Sequence, residues 1–177
     1  MGMVLGGTGD YVKLKETTLT SAGNSIDVAG IPGGFDHLHI LCQIQKNSSG
    51  PAACYIQFNG DTGTNYLWRR HYGGHGSSVG EGLSGVSGSG IQFGESSGTW
   101  DTQFNVMVID IPFYSRTVSD AQVLSTNYRI DNDTTSHWRM DHGGVWKNTA
   151  AITSTHIWQA GVADFSIGSS CIVYGLR

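Results

Sequence analysis

Apolar and polar residues alternate with a period of two along most of this chain, which is the pattern of β-strands that bury one face. In one such stretch, Leu38, Ile40 and Cys42 fall on one face while His37 and His39 fall on the other. Strands are predicted over residues 11–20, 25–29, 36–45, 53–58, 66–72, 104–111, 122–130, 136–140, 152–159 and 170–176. So many strands in 177 residues favour two packed sheets in a single domain.

Helix is predicted to be scarce. No window has the 3.6-residue apolar period and capping signals of a long helix, so only one helical turn, at residues 64–68, is expected. Without alternating strand and helix patterns, doubly wound and barrel α/β folds are excluded. The prediction is an all-β, jelly-roll-like antiparallel β-sandwich, preferred to immunoglobulin-like topologies because the strands are many and their connections uneven.

Two segments are predicted to lie outside the strands. Residues 73–98 hold ten of the 26 glycines, and few apolar side chains could anchor them, so they are predicted to form a long glycine-rich loop. Residues 1–10 are predicted to form an N-terminal arm. Met3, Val4 and Leu5 make this arm apolar, and it is expected to clamp a partner protein.

The formal charge of −4 argues against nucleic acid as a partner, because phosphate binding requires a positive surface. No signal peptide or membrane span is recognisable, so no membrane association is expected. The three cysteines, Cys42, Cys54 and Cys171, lie in apolar alternating strands and are interpreted as small buried hydrophobes. This interpretation favours folding in a reducing cytoplasm, with one disulfide among them left open.

Patterns that would indicate catalysis or a metal are incomplete. His37 and His39 resemble part of a cupin metal site, but Gln43 stands where that pattern has Glu, and two histidines make a poor site. No G-x-S-x-G nucleophile elbow occurs, and the acidic residues stand singly, mostly in turns. We therefore expect no enzyme, no metal and no cofactor. Trp138, Trp146 and other tryptophans stand beside polar groups, as in sugar-binding clefts and protein interfaces.

Four segments together resemble a family of small virion proteins of tailed bacteriophages. They are CYIQFNGDTGTNY at 54–66, VMVIDIPFYSRT at 106–117, GGVWKNTAAITSTHIW at 143–158 and FSIGSSCIVYGLR at 165–177. Members of this family decorate or cement capsids, and related domains form fibre tips. The resemblance implies a jelly-roll-like sandwich, usually trimeric, with no cofactor. The segment around Trp100 does not match the family, and neither does Trp68-Arg69-Arg70.

A capsid location is favoured because the sequence begins with its β domain, without the attachment segment and shaft expected of a fibre protein. We expect a cement protein on the capsid exterior that forms homotrimers and binds the major capsid protein. The alternative is a receptor- or carbohydrate-binding domain of a fibre or spike that binds a host surface glycan. Candidate contact residues for these partners are Met3, Val4, Leu5, His37, His39, Trp68, Arg69, Arg70, Trp100, Trp138 and Trp146.

Overall fold

The computed structural model describes residues 10–74, 80–98, 103–131, 136–161 and 164–177, and these ranges contain twelve β-strands. The strands are β1 Val12–Thr18, β2 Ser25–Ala29, β3 His37–Ile44, β4 Ala52–Phe58, β5 Tyr66–Gly74, β6 Gly80–Gly88, β7 Ile91–Ser96, β8 Asn105–Pro112, β9 Ala121–Asp131, β10 Ser136–Trp146, β11 Ser154–Gln159 and β12 Ser170–Leu176. The described ranges contain no helix, and hence none that is long and apolar enough to cross a membrane. The all-β prediction is confirmed, whereas the helical turn predicted at 64–68 is wrong, because Tyr66 begins β5.

The strands form two antiparallel sheets in a jelly-roll arrangement. The eight-stranded sheet has the order β1-β12-β3-β8-β9-β10-β5-β6, and the four-stranded sheet has the order β2-β11-β4-β7. Four pairs are nested along the chain, β1 with β12, β2 with β11, β3 with β8 and β4 with β7, as in a long hairpin rolled into a sandwich. The remaining strands, β5, β6, β9 and β10, extend only the larger sheet.

The core lies between the inner faces of the two sheets. Along β3, every second side chain from Leu38 to Ile44 is fully buried, as the period of two requires. Cys42 faces Cys171 across the β3–β12 pair, and both are free thiols, as is Cys54. Burial raises the pKa of the Cys54 thiol to about 12, so it packs as a small hydrophobe, as predicted.

The predicted glycine-rich loop at 73–98 instead carries β6 and β7, so that prediction is wrong for these residues. Glycine has no side chain to alternate between faces, so the period that marks a strand is hidden. Several of these glycines instead allow bulky side chains of neighbouring strands to pack directly against the backbone. A Cβ at Gly90 would lie 2.2 Å from Cη2 of Trp158, and one at Gly94 would lie 2.7 Å from the sulfur of Met107.

The turn after β4 is held by two polar side chains. Asn59, at φ 53°, donates from Nδ2 to the carbonyl of Ala151 at 2.8 Å and accepts from the amide of Thr153 at 2.8 Å. Asp61 accepts from the indole Nε1 of Trp146 at 2.8 Å. The Asn59 bonds tie the turn at 59–63 to the segment before β11, and the Asp61 bond ties it to the end of β10.

Candidate functional site

The outward-facing surface of the eight-stranded sheet, here called the outer face, carries three of the predicted contact residues. His37 and His39 alternate with the buried Leu38 and Ile40 on β3, so their side chains point away from the core. Arg69 lies on the same face of β5 and is exposed. These three predicted contact residues therefore point away from the core.

The centre of the outer face is apolar. Strand register places Ile172, Leu41 and Val108 side by side across β12, β3 and β8. In the next rows, Val106 pairs with Tyr128, and Leu124 is 59% exposed. The partly or fully exposed apolar side chains of this region, here called the apolar strip, are Leu41, Val106, Val108, Leu124, Tyr128 and Ile172. Sequence reasoning did not identify this strip, because the strand register that assembles it is a tertiary feature.

Acidic and basic groups border the apolar strip. Nδ1 of His39 lies 2.7 Å from Oδ1 of Asp110, and the edge of Tyr11 packs on the same imidazole at 5.2 Å between centroids. On the other side of the strip, Asp141 accepts from the hydroxyl of Thr126 at 2.9 Å. Together with Arg69 and Arg139, these aspartates place charges of both signs around the apolar strip.

A cation–aromatic cluster lies next to His37. The ring centroid of His37 is 5.0 Å from that of Phe113. The guanidinium of Arg116 lies 3.6 Å from the Phe113 ring centroid. Phe113 has a positive φ of 55°, which is unusual for a residue with a bulky side chain. This exposed ring therefore extends the set of aromatic groups near the outer face.

Arg70 and Trp138, also predicted as contact residues, both belong to an ionic cluster between the sheets. The two carboxylate oxygens of Glu95 on β7 accept separately from Nη1 of Arg70 on β5 and Nη1 of Arg129 on β9. The guanidinium of Arg129 also lies 5.6 Å from the ring centroid of Trp138, and that of Arg70 lies 5.0 Å from the ring centroid of Tyr72. This largely buried cluster joins the two sheets where the extra strands extend beyond the core.

His142 adds a neutral imidazole beside this cluster. It is 4% exposed, and neither ring nitrogen has a hydrogen-bond partner. Burial, followed by the positive charge of Arg70, lowers the pKa of His142 from the ordinary 6.5 to about 4, against a smaller opposing effect of Asp141. The side chain is therefore uncharged near neutral pH.

The remaining predicted contact residues have different outcomes. Trp146 is 0% exposed, so its prediction as a surface contact is wrong; it occupies an inward position of β10 and is part of the core. Trp68 is partly buried, and its ring meets the edge of Tyr55 at 6.3 Å between centroids. Met3, Val4, Leu5 and Trp100 lie outside the described residues.

Among the described side chains, no group of three or more His, Cys, Asp or Glu residues is placed to hold a metal ion. No protein-family model matches the sequence, and comparisons with curated proteins and with solved structures found no significant match. Functional inference therefore depends on the surfaces described above.

Proposed function

We propose that this chain is a structural virion protein that forms homotrimers through its outer face and cements neighbouring subunits of the major capsid protein. The observation that supports self-association most directly is the apolar strip. An antiparallel sheet that faces water normally presents polar side chains on that side. Exposed apolar side chains clustered on a sheet face, here interrupted by Thr126, favour protein–protein contact.

Burial of the apolar strip would be favourable, at about 25 cal/mol for each Å² of apolar surface removed from water. Charge arrangement supports a second copy of this chain as the occupant. Asp110 and Asp141 lie on the same face as Arg69, and Arg139 pairs with Asp141 within the chain, so a rotated copy can place Arg69 opposite an acidic group. Such complementarity would set the orientation of the copies around the apolar centre.

The virion assignment is supported by the family resemblance of four segments. In the fold, these segments supply β4 with its turn, β8, the end of β10 with β11, and β12. They thus belong to the jelly-roll framework and its connections. A cement protein adds stability to a capsid because it binds the assembled lattice and not the separated subunits.

Self-association is tested by light scattering coupled to size-exclusion chromatography. We expect a trimer for the natural chain, and a monomer for Leu124→Lys, which places a charge in the apolar strip. Val118→Lys is the matched control, because Val118 is 83% exposed in the β8–β9 connection. A monomeric natural chain, or a trimer that Leu124→Lys leaves intact, would contradict assembly through this face.

The capsid role is tested separately by quantitative mass spectrometry of purified particles of the source phage, with cryo-electron microscopy to locate the chain. Cementing predicts a copy number close to that of the major capsid protein and density on the capsid exterior. A few copies at the end of a fibre would instead indicate the alternative role. Absence of the chain from particles would refute a virion function.

A further inference from the structure

The opposite side of the sandwich carries a cleft of about 410 Å³ on the outward surface of the four-stranded sheet. Its floor is formed by β2 and β11, and one wall by the turn at 59–63. The polar side chains that border it are Asp27, Gln57, Thr62, Ser154 and His156. This cleft shares no residue with the outer face, so assembly through the outer face would leave it accessible.

Strand register builds the polar part of the cleft. His156 on β11 stands between Asp27 on β2 and Gln57 on β4. Nδ1 of His156 lies 2.6 Å from Oδ1 of Asp27, and Oδ2 of the same carboxylate accepts from the hydroxyl of Ser25 at 2.8 Å. Nε2 of His156 is left for a hydrogen bond with a ligand, and each carboxylate oxygen retains capacity for a further donor.

Two aromatic rings on the same sheet surface stack in a row with the imidazole of His156. His156 stacks on Trp158 with centroids 5.5 Å apart and planes at 22°. Trp158 in turn stacks on Tyr55 at 5.4 Å and 23°. Asp27 and these stacked rings therefore hold the imidazole from two directions. One face of the imidazole is covered by Trp158, and its other side borders the cleft.

The cleft is also preorganised by its wall. Asn59 bonds to the backbone of Ala151 and Thr153, and its Oδ1 accepts from the amide of Ser154 at 3.2 Å. The side-chain amide of Gln57 donates to the carbonyl of Ser89, which fixes its orientation. A ligand would thus meet groups already in place, which reduces the entropy cost of binding.

We infer that this cleft binds a neutral sugar residue of a surface glycan. The Asp27 carboxylate can accept from the hydroxyls of a sugar, Nε2 of His156 can form a hydrogen bond with another sugar hydroxyl, and the hydroxyls of Thr62 and Ser154 can donate or accept. The ring of His156 offers an apolar surface to the C–H face of a pyranose. The Asp27 carboxylate disfavours acidic sugars by like-charge repulsion. This inference goes beyond the assembly role and does not depend on it.

The test is a titration of the full chain, isotopically labelled, with neutral tetrasaccharides of glucose, mannose, galactose and N-acetylglucosamine, followed by NMR. A galacturonate tetrasaccharide serves as the acidic comparison. We expect saturable shifts at Ser154 and His156 with at least one neutral probe, at millimolar concentrations. The acidic probe should bind more weakly.

Two variants and one control decide whether the cleft is responsible. Thr62→Trp should fill the cleft and Asp27→Ala should remove its carboxylate, and each should weaken binding at least tenfold, whereas Val118→Trp should bind like the natural chain. Circular dichroism verifies that each variant is folded. Lack of saturable binding by all neutral probes, preference for the acidic probe, or undiminished binding by folded Thr62→Trp and Asp27→Ala would each overturn the inference.

Discussion

Replacement of the buried His142 by Leu should remove a large part of the pH dependence of stability. Both ring nitrogens are buried without hydrogen-bond partners. The charged groups that act on the imidazole are Arg70 and Asp141. Arg70 is itself paired with Glu95. Protonation of His142 in the folded state would place a second positive charge beside Arg70 in a site that excludes water.

The direction of the pH dependence follows from the pKa of His142 in the folded and unfolded states. Burial and Arg70 hold the folded pKa of His142 at about 4, whereas the unfolded chain has the ordinary value of 6.5. Between these values the unfolded chain binds the proton and the folded chain does not, so stability falls as pH falls from 6.5 towards 4. At about 1.36 kcal/mol for each pH unit, the contribution of this one group is roughly 3 kcal/mol.

Urea unfolding followed by tryptophan fluorescence at several pH values between neutral and pH 4 measures this effect. His142→Leu should be at least as stable as the natural chain at pH 7, because it removes buried polar atoms without partners. Its stability should then decline less as the pH falls. His71→Leu is the matched control, since His71 is exposed on the neighbouring strand. If His142→Leu and the natural chain lose stability in parallel, the reasoning is refuted.

Two further changes test the local packing by urea unfolding. Asp61→Ala should cost about 2 kcal/mol at pH 7, because it leaves the indole N–H of Trp146 without its acceptor. Hydrogen bonding, chiefly from Trp146, lowers the pKa of Asp61 below its usual 3.8, so this stabilisation is present above that value and is lost as the pH falls through the folded pKa; an unchanged midpoint would contradict the role. Gly144→Ala should cost about 1–3 kcal/mol, since its Cβ would lie 2.6 Å from Cγ2 of Ile91, whereas the neighbouring Gly143→Ala should be close to neutral because no atom lies within 4 Å. Equal effects of the two glycine changes would contradict the packing argument.

The sequence predicts the fold where side chains of different polarity alternate. β3 and β12 were predicted within one residue of their observed bounds. β10 was predicted to end at residue 140 but continues to Trp146, because Gly143 and Gly144 interrupt the alternation without breaking the strand. β6 was missed for the same physical reason.

The candidate sites were less predictable, because strands distant in sequence contribute to each of them. Glu95 lies 25 residues from Arg70 and 34 from Arg129, and no local spacing relates them. The sequence indicated this cluster only through the two-residue alternation of β9, which places Arg129 on the same face as the buried Val123 and Ser125. An arginine at an inward position implies a buried acidic partner, but the sequence does not identify which acid it is.

The strands added to the jelly roll explain how one small domain can combine the two proposed roles. β5, β6, β9 and β10 extend only the eight-stranded sheet. They supply Leu124 and Tyr128 to the apolar strip and Arg69 to its charged border, and they contribute no residue to the cleft on the opposite sheet. Growth of one sheet thus enlarges the surface proposed for assembly, and it supports the cleft only indirectly, through the hydrogen bond from Trp146 at the end of β10 to Asp61 in the cleft wall. The two functions can therefore be tested, and changed, independently of each other.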